Sequence, residues 1–83
     1  MMEFLPIKVA TGSADEEGRL VLHGGKLVAV IVRLDDPSHG PAKGQWSLEA
    51  GFNGVESVKP PLFANLQAAE RWIGLQLDDR IRV

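Results

Sequence analysis

Apolar and polar residues alternate from the start of the chain. Over residues 4–9, Leu5, Ile7 and Val9 fall on one side and Phe4, Pro6 and Lys8 on the other, the period of a β-strand. Proline has no N–H to give to a ladder, so Pro6 places this strand at an edge or turns its nitrogen away from the neighbouring strand. The polar, glycine-bracketed run 11–18 reads as a loop. Residues 19–23 and 26–34 are two further strands joined by Gly24-Gly25, a pair suited to the positive φ angles of a tight hairpin. The third strand is apolar at almost every position. Leu27, Ala29 and Ile31 are expected on one side and Val28, Val30, Val32 and Leu34 on the other, as in a central strand covered on both faces.

A longer loop, 35–44, leads to a fourth strand over 45–52. There Trp46, Leu48, Ala50 and Phe52 alternate with Gln45, Ser47, Glu49 and Gly51. Asn53-Gly54 opens a turn and Lys59-Pro60-Pro61 makes a stiff connector, at which the sheet is expected to end. The spacing then predicts a helix over 65–77. Asn65 caps its free N–H groups, Phe63 packs at its start, and Leu66, Ala69, Ile73 and Leu77 form the buried stripe. Ala68, Trp72 and Leu75 make a second strip, while 79–83 either extend the helix or form a flexible tail. The fold class is therefore α+β: one domain over 1–83, an antiparallel sheet of about four strands in the order β-β-β-β-α, with a single C-terminal helix packed on one face.

Composition narrows the function classes. With 83 residues there is room for one core, and a chain this short leaves enough surface exposed that self-association would stabilise it. The sequence contains no Cys, which removes disulfides, thiolate metal sites and cysteine nucleophiles and makes the cytoplasm the expected compartment. The opening residues, with Glu3 and Pro6, do not read as a signal peptide, and no apolar run is long enough for a membrane helix. Nine Lys and Arg against eleven Asp and Glu give a net charge of −2, which argues against a nucleic-acid surface.

Candidate chemistry concentrates in Asp35, Asp36 and His39. Two carboxylates and an imidazole can bind a divalent metal or move protons, and a residue from the Asp15–Glu17 loop could join them in three dimensions. Their spacing matches no metal motif, and loop chemistry accounts for each residue: an Asp hydrogen-bonds its own turn, Pro37 sets φ and Ser38 caps. His23 sits beside a hairpin turn with nothing to activate it, and Gly24-Gly25-Lys26 lacks the spacing of a phosphate loop. No serine lies in a Gly-x-Ser-x-Gly elbow. No catalytic, cofactor-binding or metal residue is assigned, and the balance is against an enzyme.

The segment FANLQAAERWI, residues 63–73, resembles the F-x-[STN]-L-x-x-A-x-x-W-[IL] helix that closes many small bacterial β-sheet domains of unknown function. The resemblance implies a fold and no activity. A more distant likeness is to the antitoxin partner domains of small toxin-antitoxin pairs, from which Asn65, Gln67-Ala68-Ala69 and the long fourth strand depart, so no functional residue transfers.

One helix can cover one sheet face, yet the third strand is apolar on both. The leading expectation is thus an interaction module, a homodimer or a binder of another protein, with Val28, Val30 and Val32 at the centre of its surface and Trp72 and Leu75 as a second patch. The alternatives are a metal-dependent or acid/base site at 35–39 and, third, weak nucleic-acid binding through Lys8, Arg19, Lys26, Arg33 and Lys43.

Overall fold

The computed structural model describes residues 2–55, 59 and 61–81. Its strands are β1 (Met2–Lys8), β2 (Glu17–His23), β3 (Lys26–Arg33), β4 (Trp46–Gly51) and β5 (Leu62–Phe63), followed by the helix α1 (Leu66–Ile81). All neighbours pair antiparallel in the order β1-β2-β3-β4-β5, an up-and-down meander with β3 at its centre. The class is α+β with an antiparallel sheet and one C-terminal helix. The strand beyond the four expected is β5: after the proline connector the chain returns to the sheet, and Trp46 and Ser47 of β4 pair with Phe63 and Leu62. A two-residue strand carries too little alternation to be seen in a sequence.

Turn chemistry fixes the β2–β3 hairpin. Gly24 and Gly25 have φ of 61° and 79°, the left-handed region that a two-residue hairpin turn requires at both positions. Pro6 lies on the edge strand β1. The Val9 N–H bonds the Glu16 carbonyl at 2.8 Å, so Ile7, Leu5 and Glu3 also direct their backbone groups toward β2, and Pro6 faces outward where no ladder donor is lost.

Two β-bulges change which side chains share a face. Val21 pairs with Ala29 but Leu22 pairs with Leu27, so Val28 is the extra residue and turns into the core beside Ala29. On β4, Ile31 pairs with Leu48 but Val30 pairs with Ala50, so Glu49 is extra and everything after it changes side. Both expected alternations are corrected by this. Val28 leaves the face of Val30 and Val32, and Ala50 and Phe52 leave the face of Trp46 and Leu48.

α1 covers one face of the sheet. The Asn65 side-chain carbonyl accepts the Ala68 N–H at 2.8 Å and caps the first turn, and Ala69, Ile73 and Leu77 are buried along the expected stripe with Leu66 packed beside them. They press on Val21, Ala29, Ile31, Trp46, Leu48 and Phe63. Val55, just past the Asn53-Gly54 turn, is fully buried in the same core. Trp72 tilts against Phe63 with ring centroids 5.7 Å apart. The helix runs on through Ile81; residues 82–83 of the expected tail lie outside the described residues. No helix among the described residues is long and apolar enough to cross a membrane.

Candidate functional site

The sheet face opposite α1 carries most of the exposed large apolar side chains among the described residues. Cross-strand partners point to the same side, so the register lays this face out in rows. Leu5, Leu20, Val30 and Ala50 form a continuous row over four strands. On one side of it stand Leu22 and Leu27, with Phe52 beyond them, and on the other Ile7, Val32 and Leu62. No described element lies across most of these side chains: Leu5 is 44% exposed, Ile7 40%, Leu27 40%, Phe52 47% and Leu62 48%. A scattered exposed leucine is ordinary, but five large apolar side chains around one neutral row make a patch.

One end of this face is covered by the chain itself. In a meander the β1–β2 and β3–β4 loops lie at the same end of the sheet, and here they meet. Val9 lies over Gly18, its methyl within 2.6 Å of where a Cβ on Gly18 would stand, and Val32 and Leu34 beside it are buried. Beyond β3 the ladder continues through Leu34 N–H to the Gln45 carbonyl at 2.8 Å and Gly44 N–H to the Leu34 carbonyl at 2.7 Å, closing the base of the 35–44 loop. Within that loop Pro37–Ala42 form a short 3-10 segment, broken at Gly40, where φ is 57°.

The two loops are fastened by Asp15, the only buried charged residue among those described. Its Oδ1 accepts the backbone N–H groups of Asp35 and Asp36 at 2.6 and 2.7 Å, and its Oδ2 meets His39 Nε2 at 2.5 Å. Asp36 in turn accepts the Ser38 N–H at 3.0 Å and caps the 3-10 segment, while Asp35 takes the Arg33 Nε at 2.9 and 3.1 Å through its two oxygens. The juxtaposition of His39 with the Asp15–Glu17 loop is thus present, through Asp15, and Asp35 points instead to Arg33 at the end of β3. No group of three or more His, Asp or Glu among the described residues is placed to hold a metal ion.

On the helix side of the sheet, Arg19 and Arg33 lie over the Trp46 ring at 5.0 and 5.9 Å, and Glu17 pairs with both Lys8 and Arg19. Three cations expected as a nucleic-acid surface, Lys8, Arg19 and Arg33, are therefore each held by a carboxylate.

These contacts set the acid response of the chain. Burial raises the Asp15 carboxyl, but the bonds from His39 and from the Asp36 and Asp35 amides outweigh it and hold the carboxyl below its ordinary value. The bonds from Arg19 and Lys8 lower Glu17 to about 2. A carboxyl lowered in the folded state leaves the unfolded chain binding more protons between the two values, so both contributions are present above the unfolded pKa and are lost as pH falls through the folded one. Glu17→Gln should therefore flatten the acid limb of the stability curve between about pH 4.5 and 2, measured by chemical unfolding at a series of pH values. An unchanged slope in that window would show that Glu17 is not held by the two cations in solution.

Of the residues expected at an interaction surface, Val28 and Val32 are enclosed, Val30 is half-buried within the open row, Trp72 is half-buried against Phe63, and Leu75 stands 56% exposed on the helix. Leu5, Ile7, Leu27, Phe52 and Leu62 carry most of the exposed face, and none of them is among the residues expected there. The alternation of Leu5 and Ile7 was a usable signal, since on an edge strand opposite a single helix half of such residues must face away from it. The comparisons with protein-family models, with curated proteins and with solved structures return no match to this chain.

Proposed function

We propose that this chain is a protein-interaction module that works through the sheet face opposite α1. The observation that carries this reading is the continuous apolar face of Leu5, Leu20, Leu27, Val30, Phe52 and Leu62, several of whose side chains are two-fifths to one-half exposed. Monomers rarely leave such patches larger than a few hundred Å² without a use for them.

The acid/base reading of the 35–39 loop has less support. Asp15, Asp35 and Asp36 already accept donors from the protein, and the cluster accounts for its residues as a joint between two loops. The three paired cations likewise give little to a nucleic-acid reading.

A photoreactive phenylalanine analogue at Phe52 tests the proposal inside the native cell, since an aromatic replaces an aromatic at an exposed site. Illumination should give a discrete adduct of defined mass, whether with another protein or with a second copy. The same analogue at Leu75 samples the helix strip and should give none. A chain that folds normally and forms no adduct from Phe52 would sink the proposal.

A further inference from the structure

We infer that the occupant of this face is a second copy of the chain, packed sheet to sheet around a two-fold axis with the α1 helices outermost. The inference rests on the interaction-module reading and names its partner.

Three observations converge on it. The first is charge. Of the described residues on this face only two are charged, Glu3 on the edge strand β1 and Glu49, the extra residue of the β4 bulge beside Ala50, so the central strands β2 and β3 bring no charge to the middle of a self-paired face. A partner with charged contacts would find nothing to match them at that centre.

The second is area. Five large side chains left two-fifths to one-half exposed, with the half-buried Leu20, Leu22 and Val30 between them, present on the order of 500 Å² of apolar surface. A standard interface takes roughly 800 Å² from each partner, and homodimer interfaces are about 65% apolar, which is the same amount.

The third is the state of the sheet edges, the competing route to association. On β1 the outward-facing backbone groups belong to Met2, Phe4, Pro6 and Lys8, so Pro6 removes a donor from the middle of the row. On the other side β5 has only two residues, and beyond it the bulge at Glu49 breaks the regular edge of β4. Both edges are blunted against strand addition and the face is not. Two sheets meeting face to face would lie about 10 Å apart, each row of leucines filling the gaps of the other.

Sedimentation equilibrium of the purified chain, from micromolar to millimolar, tests the inference. The expected mass is twice 9.0 kDa. Leu27→Asp should weaken the dimer about a hundredfold, as loss of a buried anchor at an interface does. Lys8→Pro takes another outward donor from the β1 edge and should leave the dimer intact. Circular dichroism confirms that each variant folds, and Leu62→Asp stands in should Leu27→Asp fail to. A chain that stays monomeric at millimolar concentration overturns the inference. So does a dimer that Lys8→Pro dissolves and the face variants do not. A monomer that still gives a Phe52 adduct with a different protein overturns self-pairing and leaves the interaction module standing; a monomer with no adduct removes both.

Discussion

Ile73→Ala should cost about 2–5 kcal/mol of folding stability, the range for deleting a fully enclosed aliphatic side chain. Ile73 is 0% exposed and lies at the middle of the α1 stripe, packed in the same core as Val21, Ile31 and Leu48, so the cavity left behind has little freedom to collapse. A chain of 83 residues has roughly 4–12 kcal/mol of total stability, so the loss is a large share of it. The thermal midpoint should fall by at least about 10 °C, since each kcal/mol moves it by several degrees in a domain of this size. Leu75→Ala on the same helix, at a side chain 56% exposed, should stay within about 0.5 kcal/mol of the parent. Equal losses at the two positions would mean that α1 does not sit on the sheet by its Ala69–Ile73 stripe.

The second large effect is expected at Gly18. A methyl there would stand 2.6 Å from Val9 Cγ2, 3.2 Å from the Ile31 carbonyl oxygen and 3.3 Å from that of Ile7. The carbonyls belong to the two flanking strands and have little room to give, so Val9 must be pushed off the sheet. Gly18→Ala should therefore destabilise by about 1–3 kcal/mol, the range for inserting a carbon into a filled site, although alanine is otherwise the better residue in a strand. The denaturant midpoint reads the stability, and exchange of the Val9 amide with solvent reads the displacement, because that N–H bonds Glu16. A variant as stable as the parent, with Val9 still protected, would show that the β1–β2 loop is loose over Gly18.

Much of this architecture is legible in the residues because its causes are local. Gly24-Gly25 sets the hairpin by backbone freedom, Asn65 caps the helix through its own side chain, and Ala69, Ile73 and Leu77 recur at the helical period. What escapes is decided by pairing. Reading residues 46–52 as one unbroken alternation puts Ala50 and Phe52 beside Trp46, and only the partner strand reveals that Glu49 is extra and turns them over. The same holds for Val28, which looks like a surface companion of Val30 until the register with β2 places it in the core. β5 is too short to carry a pattern and exists because β4 offers it a partner. As for the 35–39 loop, the residue types were visible but not their destinations. Asp15 and His39 are separated by 24 positions, and no motif spacing spans a gap that is closed by the meander bringing alternate loops to one end of the sheet.

That closure has a consequence in time. Every strand here pairs with its neighbour in the chain, so the sheet can assemble by successive short closures, each with a small loop-entropy cost. The Asp15 joint closes last along the β2–β3 hairpin, because Asp15 and Asp35 face each other at its open end, farthest from the Gly24-Gly25 turn. Interactions that form after the rate-limiting step leave the speed of folding alone and slow the reverse reaction. The buried carboxylate therefore acts less as a guide to the native structure than as a brake on leaving it, lengthening the life of each folded molecule.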